Sequence, residues 1–177
     1  PAAYDNGILP DGAAVADTNG RLLAAGSRST FTNAELTTSP AGYYPYWDDL
    51  RTDQNLAGIP ASGIYAVDMG TMFVVQWDFT AFDVTASGTP AAGAAGNAIV
   101  QLQIFPTGSG TLAKFLYQGM GTMSGQSATV GEVSTLGPGF AQYEFNTAGT
   151  ISDTTVVSIV ASTVPGACCL GNGTCVP

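Results

Sequence analysis

The nine residues NAIVQLQIF, 97–105, alternate between apolar and polar side chains. Val100, Leu102 and Ile104 fall on one face, Gln101 and Gln103 on the other. A period of two marks a strand lying between a core and a more polar surface. Similar runs recur along the chain, separated by Gly, Pro, Asn and Ser at the spacing of an all-β sandwich, and neither heptad nor 3.6-residue periodicity competes with them. The pattern predicts an antiparallel β-sandwich of jelly-roll or immunoglobulin-like size, with about nine or ten strands.

The runs can be placed. Residues 13–16 and 21–25 flank DTNG, where Asn19-Gly20 can supply the positive φ angles of a tight hairpin. YYPYWDDL, 43–50, is a candidate strand running into a loop. Residues 63–68 and 71–79 face each other across Met69-Gly70. PTGSG turns the chain from 97–105 into 112–118, and 128–133, 140–145 and 154–162 complete the set. The Ala/Gly-rich stretch 86–96 reads as a surface loop. After residue 163 the character changes to a Pro/Gly-bounded segment holding all three cysteines. The expected organisation is a sandwich domain, 1–163, followed by a short cysteine-containing tail, 164–177. The chain opens at Pro1 without an initiating Met or a basic-then-apolar leader, and reads as a mature or excised portion of something longer.

A length of 177 residues suits one domain with a real core. Only 10% of the residues are charged, against roughly a quarter in an ordinary soluble domain. Four are basic, thirteen acidic and none is histidine, for a net charge of −9. Phosphate backbones and anionic membranes need clustered Lys and Arg, so nucleic acid is not expected as a partner. No apolar run approaches the ~20 residues of a membrane helix, so membrane insertion is not expected. Without histidine, Ser–His and Cys–His catalysis are excluded, and a zinc centre loses its commonest ligand. An enzyme is not expected. The remaining catalytic option is a carboxylate pair among Asp78, Asp83, Glu132 and Glu144, and nothing in the spacing singles out two of them.

Asp48 and Asp49 are the first candidate site. Within a strand their side chains point to opposite faces. If the strand ends at Trp47 they can bend toward a calcium ion together with Asp53, calcium being a hard cation that takes oxygen ligands. The plainer reading has one carboxylate capping loop N–H groups and the other solvated or paired with Arg51. DTNG fails as a calcium loop, because an EF-hand starting at Asp17 needs Gly where Leu22 stands and an acid where Arg28 stands. Tyr43, Tyr44, Tyr46, Trp47 and Trp77 are either a sugar-stacking platform or core, and strand-spaced aromatics more often fill a core. Simple alternation puts Tyr44 and Tyr46 on one face and Tyr43 and Trp47 on the other, leaving one pair free to face solvent. Among Cys168, Cys169 and Cys175, either of the adjacent pair can reach Cys175 across LGNGT, leaving one thiol over for a partner elsewhere. Asn172 heads an N-glycosylation pattern, Asn-Gly-Thr.

Taken in order, several segments resemble nidogen-like β-sandwich modules of large secreted and surface proteins of bacteria, including planctomycete-type proteins. VADTNGRLLAAGS resembles their V-x-x-NG-x-L-x-F hairpin, YYPYWDDLRT their I-A-P-Y/F-W-D-D-L segment, and FVVQWDFTAF their F-V-V-x-W-x-N-V strand. NAIVQLQIFPTGSGTLAKFLY is similar to the F-Q-V-x-L-x-x-D-G-x-I-x-F-x-Y hairpin, and SATVGEVS to the closing A-T-V-G-I strand. The tail is similar to GACC-L-x-DG-T-C units near the ends of such proteins. Glu132 stands where the family has an apolar residue, Asn172 replaces an Asp, and the opening F-x-F-P-F-Y-G strand is missing or degenerate. The resemblance implies an extracellular or cell-surface location, structural or adhesive duties and no established catalytic residues. A sandwich short of a strand, with one lysine to guard its edges, is expected to accept a strand from a neighbouring copy and form a self-polymerising fibre, locked by the spare cysteine. The alternative is an adhesive module binding glycan or calcium; calcium is the one cofactor the residues admit.

Overall fold

A computed structural model describes residues 14–24, 30–51, 62–81, 98–106, 111–121, 123–134 and 139–160, with the pairs 168–169 and 175–176. The fold is an all-β, antiparallel sandwich. One sheet has the order β1-β2-β3-β9-β10, where β1 is Val15–Ala16, β2 Leu22–Leu23, β3 Gly42–Trp47, β9 Thr129–Val133 and β10 Phe140–Phe145. The other runs β11-β8-β7-β6, with β11 Val156–Val160, β8 Thr111–Gln118, β7 Ala98–Ile104 and β6 Phe73–Ala81. Along the far edge of β6 lie β4, Leu50–Arg51, and β5, Gly63–Asp68. The tail contributes a two-stranded pair, β12 (Cys168–Cys169) and β13 (Cys175–Val176).

Alternation holds where the sequence shows it best. In β7, Ala98, Val100, Leu102 and Ile104 are buried while Ile99, Gln101 and Gln103 are half-buried. The inner faces of both sheets meet in one core that includes Tyr43, Tyr46 and Val130 from one layer and Trp77, Phe79 and Phe115 from the other. Tyr46 stacks on Phe79 with ring centroids 5.8 Å apart, and Tyr43 meets Phe115 edge-on at 6.3 Å. Two hydrogen bonds also cross the layers. Tyr117 Oη donates to the Pro45 carbonyl at 2.8 Å, and Trp77 Nε1 donates to the Asp17 carbonyl at 2.8 Å. Each satisfies a polar group that burial would otherwise leave costly.

Three details differ from the sequence reading. The DTNG turn is not a two-residue hairpin: Asp17 N–H donates to Arg21 O at 2.9 Å, enclosing Thr18, Asn19 and Gly20, and of these only Gly20 takes a positive φ, 75°. That is the three-residue loop closed by a left-handed glycine. The Asp17 carboxylate then accepts the N–H groups of Asn19 and Arg21, both at 3.1 Å, and pairs with the buried Arg21 guanidinium. Arg21 lies 4.7 Å from the centroid of the Trp47 ring.

The second difference is the phase of β3. Its pairing with β9 slips between Tyr44 and Trp47, and Pro45, which has no N–H to donate, sits inside the slip. A bulge there advances the alternation by one residue. Tyr43 and Tyr46 therefore share the main core, while Tyr44 and Trp47 share the opposite face with Leu23 and Leu36. Neither pair faces solvent; all four rings are at most 4% exposed.

The third is a roof over that second cluster. Residues 30–39, with a 3-10 turn at Leu36–Thr38, cross the outer face of the first sheet. Trp47 Nε1 donates to Thr30 O at 3.2 Å, Thr129 Oγ1 to Ala34 O at 2.9 Å, and Leu36 N–H to Gln142 Oε1 at 2.9 Å. Leu36 is wholly buried, seated over Gly131, where a Cβ would come within 2.6 Å of its Cδ1. YYPYWDDL is thus a crossover rather than a strand running into a loop: β3 belongs to one sheet, β4 to the other, and Asp48 and Asp49 form the corner.

Candidate functional site

The corner holds two of the three proposed calcium ligands. Asp48 Oδ1 accepts the Asp49 N–H at 2.8 Å and Oδ2 accepts the Ser127 hydroxyl at 2.7 Å. Burial pushes the Asp48 carboxyl above the ordinary carboxylate range, and these two hydrogen bonds oppose the push. Asp49, more open, is also raised by burial. Both oxygens of Asp48 are engaged in framing the corner. Asp53 lies outside the described residues, as do Asp83 and Asn172. Among the described residues, no three of the Asp, Glu and Cys side chains gather closely enough to hold a metal ion.

The aromatic candidates are framework. Tyr43, Tyr44, Tyr46, Trp47 and Trp77 are all buried, so none offers a ring face to a sugar. Burial raises the Tyr44 hydroxyl pKa to about 12 and that of Tyr46 further. Three of the four carboxylates are described: Glu132 and Glu144 are both buried on the adjacent strands β9 and β10, and Asp78 stands apart from them. Asp78 lies on the outer face of the second sheet, and Glu144 accepts the Thr147 N–H. Glu132 is buried at the inner face of the first sheet, opposite Tyr43 and Ala141 in register. Asp78 and Glu132 are therefore separated by the second sheet. In the tail, the register of β12 and β13 sets Cys169 opposite Cys175 and Cys168 opposite Val176.

Two features of the second sheet were not singled out from the sequence. The first is β5. It pairs with β6 over six rungs, and its last four residues are exposed, including Tyr65 and Val67 at 52% each. Among the described residues, β6 is the one strand that β5 pairs with.

The second is a shallow groove of about 230 Å³ on the outer face, between β5 and the β6–β7 ladder. Its floor is a chain of amides. Gln103 Nε2 donates to Gln101 Oε1 at 2.7 Å, Gln101 Nε2 to Gln76 Oε1 at 3.1 Å, and Gln76 Nε2 to Asp78 Oδ1 at 3.1 Å. Tyr65 and Val67 form one wall, and Met69 and Met72 close one end. The sequence signal was the polar face of 97–105. Its partner Gln76 becomes visible only once the β6–β7 register sets it opposite Gln101.

Among the described residues, no helix is long and apolar enough to cross a membrane. Comparison of the chain with protein-family models, with curated proteins and with solved structures returns no match.

Proposed function

We propose that this chain is a structural module of an extracellular assembly, joined to further copies of itself by strand addition along β5. The observation that carries the reading is the β5 edge: six residues, exposed apolar side chains, and neither Lys nor Pro. Soluble proteins blunt such edges with charge, proline or a bulge, because an open row of N–H and C=O groups templates pairing with another chain. β5 carries one acid, Asp68, at its very end.

Three further features support the reading. The whole chain holds a single lysine, the residue soluble proteins most often set on exposed strand edges. The odd cysteine count leaves one sulfur for a partner outside the chain. The resemblance of five ordered segments to nidogen-like modules supports an extracellular setting. The opening segment, where a missing or degenerate first strand was expected, lies outside the described residues, so the β5 edge carries the proposal. If β5 takes up a different strand of the next copy the contact is head-to-tail, and it extends into a filament where its rotation does not close a ring.

Multi-angle light scattering over a hundredfold dilution tests it. Wild-type protein is expected to keep oligomers that resist dilution, and Val67→Lys, which sets a charge on the edge, is expected to release folded monomers. A monodisperse, folded wild-type monomer at every concentration would sink the proposal.

A further inference from the structure

The geometry points to a second role for the outer face: the groove beside β5 is a binding site for a neutral oligosaccharide. The inference concerns a face of the sheet and not its backbone edge, although Tyr65 and Val67 of β5 belong to both.

The amide chain has a fixed direction. Asp78 Oδ1 accepts from Gln76 Nε2, which sets the orientation of the Gln76 amide. That choice orients Gln101, and Gln101 orients Gln103. Each of the three amides spends one N–H within the chain and keeps a second for a ligand. The floor therefore offers a row of aligned donors held by their neighbours, with little rotamer entropy left to lose on binding. None of the side chains lining the groove carries a charge. Such a floor suits ligands dense in neutral oxygen acceptors, which is the chemistry of sugar hydroxyls and ring oxygens.

Tyr65 supplies the complementary surface. It leans along its strand over Gly63, where a Cβ would sit 2.9–3.2 Å from Tyr65 Oη, Cζ and Cε2. Gly63 thus leaves room for the ring to lie down against the strand, and half of the side chain remains open to solvent. A ring with one side supported and the other exposed, next to ordered amides, stacks on the apolar face of a pyranose while the amides reach its hydroxyls. Tyr65, Gln76 and Gln101 share one rung, and the ring leans from it toward Gly63, the register partner of Asp78. At about 230 Å³ the groove is smaller than the ~300–1,000 Å³ of enclosed small-molecule sites. A sugar chain would lie across it, one or two residues in contact.

The test is isothermal titration of the whole chain with hexasaccharides of β-1,4-linked glucose, mannose and xylose, and with polygalacturonate as an acidic comparator. At least one neutral hexasaccharide is expected to bind. Tyr65→Ala and Gln101→Leu are each expected to weaken it tenfold or more, with melting curves close to wild type because both side chains are partly or largely exposed. Gly63→Val, which props the ring off the strand, is expected to weaken it severalfold while leaving Tyr65 in place. Sizing every sample by light scattering separates loss of sugar binding from loss of association. No heat from any neutral hexasaccharide at millimolar concentration, unchanged affinity in Tyr65→Ala, or stronger binding of polygalacturonate would each overturn the proposal.

Discussion

At the scale of single residues, polar groups held inside the sandwich give the sharpest expectations. Burial raises the folded-state pKa of Asp48 above its ordinary value of 3.8. The native state then holds this proton more tightly than the unfolded chain does. Asp48 therefore detracts from stability above its folded pKa, and the cost is relieved as pH falls through that value. Asp48→Asn keeps the shape, with an amide oxygen for the Asp49 N–H and an amide nitrogen for the Ser127 hydroxyl. The variant is expected to melt above wild type at pH 7, with the gap closing as the pH is lowered toward 4; circular dichroism melts across that range check it. A variant melting below wild type at pH 7 would show that the charged form of those hydrogen bonds outweighs the desolvation. The Asp17–Arg21 pair is the opposite case, since its partners compensate each other. Removing one partner of such a buried pair costs on the order of 3–5 kcal/mol. Neither environment was legible from residue type: DDL and DTNGR look alike as polar loops, and the difference lies in which strands pack over them.

At the scale of elements, strands were readable where alternation runs uninterrupted and misread where it breaks. β6, β7 and β8 show their inner and outer faces directly. In β3 the signal for the break was present, because a proline inside a strand marks an edge or a bulge, but only pairing with β9 shows where the phase jumps. The roof, residues 30–39, has no periodicity to read; side-chain and backbone hydrogen bonds to β3, β9 and β10 place it. Leu36 is its apolar anchor. Leu36→Ala is expected to cost about 2–5 kcal/mol, the usual range for emptying a buried leucine site. It should also expose Trp47 while leaving Trp77 in the main core. A lower melting temperature together with increased acrylamide quenching of about half the tryptophan emission is the expected result. Destabilisation without added quenching would mean that the roof stays closed over the cavity.

At the scale of the whole molecule, the run of hairpins from β5 to β8 follows chain order and could be anticipated. The pairings β3–β9 and β8–β11 join distant segments, and nothing local announces them. They decide the candidate sites: the buried fate of the tyrosines and the assembly of the groove both depend on register between strands. For the tail, peptide mapping without reduction checks the expectation from sequence that Cys175 pairs with one of Cys168 and Cys169, the third cysteine being alkylated in monomers or bridged to another chain in assemblies. The crossover at Asp48 and Asp49 has a mechanical consequence. The three Cα steps from Trp47 to Leu50 reach at most about 11 Å, close to the ~10 Å between packed sheets. This link therefore ties the middle strand of one layer to the edge of the other through two residues. Once the corner is pulled straight, the two layers can part there by no more than that reach, and any further extension must unzip rungs within a sheet.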